Sequence, residues 1–343
     1  MRRFALTLFL VFCLTACSKA PLHRQEAYVF GTRVEVLVAG LPDAKANAAA
    51  AAVLREFDRL HRTYHAWQPS ELSDLNAAIK AGKTLEVTPE MAALIKDAQR
   101  LSALGDGLFD PGIGGLIALW GFQSDDFAAK LPDPKALAAW RAAQPGIADI
   151  VVDGLKVASR KREAQLDFGG YLKGVALDRA ALILRAQGAK NALVNIGGNV
   201  IALGTKNGER WRVGIQHPRA PGPLATIELD DGEAIGTSGD YQRYFELDGR
   251  RYCHLIDPRS AAPVTHTQSL TIVVTPREAA GTLSDAATKP LFIAGPAWPE
   301  LAKREAITHV LRVDSEGKIQ ASAAMQRRLE FVGVDARSVE ILP

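Results

Sequence analysis

The chain has 343 residues, with 41 Lys and Arg against 38 Asp and Glu, for a formal net charge of +3. That near-balance, with the basic residues scattered, excludes the one-sided positive surface of a nucleic-acid binder. Of three cysteines, Cys13 and Cys17 lie at the N-terminus and only Cys253 in the body. No internal disulfide is available to the body, so a buried apolar core must carry its stability.

The N-terminus reads as a targeting segment. Arg2 and Arg3 give a positive start, Phe4 to Leu14 an apolar stretch too short to span a membrane, and Leu14-Thr15-Ala16-Cys17 a cleavage site ending in cysteine. This pattern resembles a bacterial lipobox, with Cys17 as the lipidated residue, although an ordinary secretory signal with a chance Cys has the same outline. The expected division is a signal at 1–16, a tether at 17–26 and one domain at 27–343. The expected location is a bacterial cell membrane, lipid-anchored and facing the periplasm.

Tyr28 to Val38 alternates apolar and polar residues around Gly31-Thr32 and predicts a strand with a bend. Asp43 to Tyr64 carries Val53, Leu54, Phe57 and Leu60 on one stripe and predicts an amphipathic helix. Thr88-Pro89-Glu90 opens a further helix through Leu104, with Thr as cap and Pro at the first helical position. Gly105 and Gly107 stop it. Phe109-Asp110-Pro111-Gly112 is a turn before an apolar run ending at Trp120-Gly121-Phe122. A short helix over Pro132 to Ala143 and short strands over Ile150 to Asp167 follow. Asp167-Phe-Gly169-Gly170-Tyr-Leu-Lys173-Gly174 leads into a helix through Gln187, and Ala192 to Val200 is a strand meeting a glycine turn. Strands dominate from Trp211 to Asp257 and recur at Leu270 to Val274. A helix from about Arg277 into Ile293 precedes a closing hairpin over Ile307 to Ile319. Strand-rich stretches punctuated by separate helices predict an α+β fold.

Three clusters carry chemistry. Asp167 to Gly174 places a carboxylate, a glycine turn and Lys173 at the mouth of a helix, where exposed N–H groups and the positive helix end favour anions. Asp285, Thr288 and Lys289 stand at i, i+3 and i+4, so a helix would set them on one face. A carboxylate and a hydroxyl are hard donors suited to Mg²⁺, and they equally suit an N-cap. The segment from Gly236 to Pro263 joins a small-residue turn to His254-Leu-Ile-Asp257-Pro258-Arg259. A neutral imidazole there can take a proton from a hydroxyl. Tyr64, Phe30 and Phe109 offer aromatic surface to a planar ring, and each also suits a core. The picture is a site for a phosphorylated, partly aromatic ligand.

Taken together these motifs resemble the ApbE family of FAD:protein FMN transferases. The likeness covers Phe30-Gly-Thr32, Tyr64 with Ser70-Glu-Leu-Ser-Asp-Leu-Asn76, Phe109-Asp110 leading to Trp120-Gly121-Phe122, and Leu166 to Asp178. It continues through Asn195-Ile-Gly-Gly198, Thr237-Ser-Gly-Asp-Tyr241, His254 to Ser260, and Asp285 to Gly295. It implies a T-fold-like α+β fold with mostly antiparallel sheets, FAD as donor, and Mg²⁺ on its pyrophosphate. It also implies transfer of the FMN moiety to a Thr hydroxyl of an exported or membrane redox protein. A metal-dependent FAD pyrophosphatase, or a non-catalytic FAD-binding lipoprotein, is the alternative.

Carried over by position, Phe30, Tyr64, Leu108, Phe109, Asp110, Asp167, Lys173 and Ile256 line or hold FAD. Gly170, Asp285 and Thr288 face the metal, and His254 is the base. Two positions depart from the family pattern. Lys289 stands where Thr is usual, with the Thr displaced to position 288. Either Thr288 still reaches the metal, or the Lys289 ammonium occupies the cation's place. Arg259-Ser260-Ala261 stands in place of Arg-Thr-Gly, which removes a glycine's backbone freedom.

Overall fold

The computed structural model describes residues 21–124 and 128–342. Its frame is a nine-stranded sheet. In spatial order the strands are Leu22–Val29, Thr32–Ala39, Asn191–Ile196, Asn199–Leu203, Ala234–Gly239, Thr267–Val274, His309–Asp314, Ile319–Ser322 and Glu340–Leu342. Every neighbouring pair is antiparallel except the last, where Gln320–Ser322 runs parallel to Glu340–Leu342. The fold is mixed α+β with mostly antiparallel sheets.

Side-chain alternation assigns the two faces of this sheet. Val34, Val36 and Val38, with Ala192, Val194, Ile196, Leu270 and Ile272, pack among the helices. Their alternates Leu193, Val273 and Leu311 face a smaller layer containing Trp211, Ile227 and Leu229. That layer is the three-stranded sheet Leu329–Phe331, Pro223–Leu229 and Trp211–Gln216. Strand Thr267–Val274 is buried along its whole length because both of its faces are covered.

The predicted strand from Tyr28 to Val38 is two strands. Phe30 and Gly31 both take positive φ, 57° and 68°, and close a two-residue hairpin turn of the kind whose twist suits antiparallel strands. The first strand begins at Leu22 and pairs Leu22 with Ala39. Residues 22–26, expected as tether, therefore belong to the sheet.

Helix Asp43–Thr63 buries Ala46, Ala49, Ala50, Val53, Phe57 and Leu60 along one face. Helix Pro89–Leu104 starts where expected, with the Thr88 hydroxyl accepting from the Met91 N–H. Helix Glu71–Lys80 was not anticipated. Its cap is reciprocal: Ser70 Oγ accepts from Ser73 N, and Ser73 Oγ accepts from Ser70 N. The predicted single helix after Arg277 is two short ones, Ala280–Ala286 and Thr288–Ala294, with Ala287 between them. Cys17 and the rest of the expected signal lie outside the described residues. Among the described residues no helix is long and apolar enough to cross a membrane.

Candidate functional site

The site forms where helix Leu172–Ala186 crosses helix Ala280–Ala286. Gly174 and Gly281 make this crossing close. A Cβ on Gly174 would stand 2.4 Å from the Gly281 carbonyl oxygen, and one on Gly281 would stand 2.7 Å from the Gly174 oxygen. Asp178, one turn further along the first helix, accepts from the N–H groups of Gly281 and Thr282, both at 2.8 Å, and from the Thr282 hydroxyl. It thereby satisfies the start of the second helix, which has no cap of its own. Behind that helix, strand Ala234–Gly239 lies so near that a Cβ on Gly236 would meet the Ser284 oxygen at 2.0 Å.

This packing delivers Asp285, 1% exposed, to the N-terminal turn of helix Leu172–Ala186. Its Oδ2 accepts from Gly174 N at 2.9 Å. A buried carboxylate needs such partners, and an amide at a helix N-terminus is a favourable one. Its Oδ1 is ion-paired with the Lys289 ammonium, which reaches back across the Ala287 junction and also donates to the Asp285 carbonyl at 2.8 Å. Burial lowers the Lys289 pKa most, Asp285 counteracts it, and the charge of Lys173 lowers it further. Lys173 stands on the same helix turn and makes no ion pair among the described residues. Two ammonium groups and a helix N-terminus thus lie within electrostatic reach of one another, an arrangement suited to a polyanion.

The donors expected for Mg²⁺ are already engaged. Both Asp285 carboxylate oxygens have partners, and Thr288 Oγ1 donates to the Asp285 carbonyl at 2.7 Å while accepting from Ser238 Oγ at 2.7 Å. The Lys289 stem passes beside Gly170, with its Cε 3.8 Å from where a Gly170 Cβ would stand. No group of three His, Cys, Asp or Glu side chains among the described residues could hold a metal ion. Mg²⁺ demands near-ideal octahedral oxygen ligation, so the set Gly170, Asp285 and Thr288 does not fit it in this chain.

His254 follows strand Arg250–Cys253. Both its backbone N–H and its Nδ1 contact the Arg243 carbonyl oxygen, at 3.0 and 3.1 Å. A carbonyl only accepts, so Nδ1 carries the hydrogen and Nε2 keeps its lone pair. Burial, and then the positive charges of Arg243, Lys173 and Lys289, hold the imidazole pKa down at about 3, against the pull of the carbonyl contact. Arg243 in turn donates to the carbonyls of Phe122 and Ser124, at 2.9 and 3.1 Å, and lies over the Trp67 ring. It ties the His254 segment to the Trp120-Gly121-Phe122 turn. Sequence reasoning missed this residue, although it sits inside the Gly236–Pro263 segment.

The residues expected around FAD fall into two groups. Phe30, at the hairpin tip, is half-buried and packs on Phe57 and His61 with centroids 6.0 and 5.6 Å apart. His61, His65 and Trp67 extend this aromatic row at 5.0 and 4.6 Å. Asp167 is buried, with Oδ1 accepting from Gly169 N and Oδ2 accepting from the amide of Gln123. Its place is fixed by Asn76, whose side chain donates to the Leu166 carbonyl and accepts from the Leu166 N–H. The Ser70–Asn76 motif is therefore a capping box and a backbone clamp.

The second group is enclosed. Tyr64 is 2% exposed and packs on Phe168 at 6.1 Å, so it supports the Asp167 turn from beneath. Leu108 and Phe109 are buried, and Phe109 packs on Tyr171. Asp110 accepts from Gly112 N and Ile147 N, both at 2.7 Å, and burial raises its pKa to about 6. It braces the turn after Phe109. Ile256 is buried in an apolar cluster with Trp120, Phe122 and Phe245. Ala261, in the position of the lost glycine, takes φ 54° and accepts from the Trp120 indole at 3.0 Å. The backbone there keeps the left-handed conformation at the steric cost that a Cβ brings.

The architecture and the cationic cluster define a class: a mixed α+β protein with positive charge gathered at two glycine-crossed helices, within electrostatic reach of a neutral histidine. The family comparison is specific. The ApbE family model matches residues 30–311, and the chain belongs to that family. It is 40% identical over 314 residues to the FAD:protein FMN transferase of Rhodobacter capsulatus, covering 91% of this chain and 59% of that protein. It is 30% identical over 301 residues to the protein of the same name from Klebsiella pneumoniae, covering 85% and 84%. Among solved structures, the ApbE protein of Thermotoga maritima superimposes with a TM-score of 0.80 at 30% identity, covering 90% of this chain and 99% of that one. The flavin transferase ApbE of Vibrio cholerae gives 0.78 at 26% identity with the same coverage.

Proposed function

We propose that this protein transfers the FMN moiety of FAD to a threonine hydroxyl of an exported redox protein. The observation that carries the reading is the convergence of Lys173 and the N-terminus of helix Leu172–Ala186 with His254, whose Nε2 lone pair is unprotonated. The names of its relatives supply the donor and the reaction class.

In the proposed step the acceptor oxygen attacks the FMN phosphorus of FAD. The bond from that phosphorus to the bridging oxygen breaks, AMP leaves, and a phosphoester joins FMN to threonine. His254 Nε2 takes the hydroxyl proton. Lys173 and the helix N-terminus offset negative charge as it shifts onto the departing AMP. Phe30 and the His61–His65–Trp67 row give aromatic surface for the ring end of the donor. The buried Tyr64, Phe109 and Asp110 hold the walls in place. No divalent metal enters this reading, because the residues expected to bind one are engaged with each other.

The test is incubation of the protein with FAD and an acceptor domain, followed by denaturing electrophoresis. The reading predicts a fluorescent acceptor band that is absent when the target Thr is replaced by Val. Free FMN and AMP with an unmodified acceptor would identify a pyrophosphatase instead.

The Leu14-Thr15-Ala16-Cys17 pattern supports a further proposal, that lipidation at Cys17 anchors the protein to a membrane facing the periplasm. Cys17→Ser is expected to release it into the soluble fraction, and retention of the variant in membranes would refute the anchor.

A further inference from the structure

We propose that the Lys289 ammonium, fixed on Asp285, is the permanent cation of this pocket and binds the FAD pyrophosphate where a divalent metal would otherwise stand. The inference rests on the flavin reading above and narrows it to metal-independent binding.

Geometry carries it. Lys289 is four residues beyond Asp285, and the break at Ala287 lets its side chain fold back over the preceding turn. It there meets both the Asp285 carboxylate and the Asp285 carbonyl. An ammonium has three N–H donors, so these two contacts leave one for a ligand. The stem lies alongside Gly170 while the ammonium meets Asp285, so the side chain touches two of the three residues expected to face a metal. Its side chain remains 14% exposed, whereas that of Asp285 is 1% exposed. Lys289 is thus the member of the pair that keeps some surface.

Charge reasoning points the same way. A divalent ion on Asp285 would have to displace Lys289 or sit within a few ångströms of it, and like charges that close repel strongly in a poorly hydrated site. Displacing Lys289 would remove a buried ion-pair partner, which is costly unless the metal fully replaces it. A lysine–aspartate pair is neutral, whereas Mg²⁺ on a carboxylate keeps a net positive charge. Lys173 then carries the excess positive charge that draws the pyrophosphate. Thr288 Oγ1 already donates to the Asp285 carbonyl and accepts from Ser238, which leaves it a single lone pair.

The test has two arms on the mature protein. Free Mn²⁺ is counted by electron paramagnetic resonance with the protein alone, which reports on the cation position whether or not a flavin binds. FAD affinity is measured by fluorescence in EDTA and in Mg²⁺. The proposal predicts no stoichiometric Mn²⁺ binding by the wild type and an FAD Kd equal within about twofold in the two buffers. Lys289→Thr should gain Mn²⁺ binding and make FAD binding chelator-sensitive. Lys289→Met should weaken FAD at least about tenfold in either buffer. The double variant D285N/K289M removes both charges together, avoids an orphaned carboxylate, and should show the same loss. Stoichiometric Mn²⁺ binding by the wild type, or a more than about tenfold loss of FAD affinity in EDTA, would overturn the proposal. FAD binding in neither buffer would sink the flavin reading and this inference with it, while the Mn²⁺ arm would still say whether Lys289 excludes a metal.

Discussion

His254, half-buried, and Glu305, buried, are groups in opposite electrostatic situations. His254 is held neutral by burial and three neighbouring positive charges, so the ligand-free protein should show no protonation of it from pH 8 down to about 5. Side-chain nitrogen NMR would check this, and a transition near the ordinary histidine range would contradict it. The sign for stability follows: a depressed pKa means that the unfolded chain binds the extra proton first, so stability falls as pH drops from about 6.5 toward 3. Bound pyrophosphate would offset Lys173 and Lys289, and FAD should therefore move the titration upward. His254→Ala should leave FAD affinity within about twofold while slowing transfer by roughly 10²–10⁴-fold; equal loss of both would argue against its role as base. Glu305 has no positive partner deep enough to balance its burial, and one carboxylate oxygen lacks any hydrogen bond. Its pKa is pushed up to about 8. Folding thus favours the protonated acid, a contribution fully present below about pH 4.5 and lost progressively as pH rises from there to about 8. Glu305→Gln should be close to neutral at about pH 4 and stabilising by a few kcal/mol at about pH 9, since each pH unit between the two pKa values costs the Glu about 1.4 kcal/mol. Thermal melts at the two pH values would decide it.

At the scale of elements, the helix crossing is the part that the site cannot lose. A methyl at Gly174 would meet the Gly281 carbonyl at 2.4 Å and the Asp285 Cβ at 2.7 Å, neither of which can give way. Gly174→Ala should cost about 1–3 kcal/mol and weaken FAD binding through displacement of Asp285 and Lys289. An unchanged melting temperature with unchanged FAD affinity would refute that coupling. Much of this level was legible in the sequence. Thr88-Pro89 announced its helix because a cap and an N1 proline act locally, and the Asp167-to-Gly174 turn announced an anion site for the same reason. Helix Glu71–Lys80 escaped because its capping box uses Ser at both ends, and its Asn76 clamp acts on Leu166, 90 residues away. The back-folding of Lys289 escaped because the helix was read straight through Ala287, although Pro290, which has no N–H to give to the Ala286 carbonyl, marks a break there. Tyr64 and Phe109 were read as ring surfaces because an aromatic residue in a motif does not disclose which side of a wall it fills.

At the scale of the molecule, one sheet holds residues drawn from both ends of the chain, so the site is assembled late in sequence but on a single frame. Strand Leu22–Val29 covers the hydrogen-bonding edge of Thr32–Ala39 along the full register from Leu22 to Ala39. Deleting the chain through Val29 should therefore lower the melting temperature and promote aggregation through the bared edge, as light scattering on heating would report. The cationic pocket lies where helices Leu172–Ala186 and Ala280–Ala286 meet beneath strand Ala234–Gly239. Its purpose on this account is to hold a pyrophosphate while one of its bonds is exchanged for an acceptor oxygen. The most direct measurement is the ratio of AMP released to FMN attached in a single reaction with FAD and an acceptor domain. AMP by chromatography and acceptor-bound flavin by intact mass should rise together at one to one. AMP accompanied by free FMN, with acceptor mass unchanged, would contradict the assignment of flavin transfer.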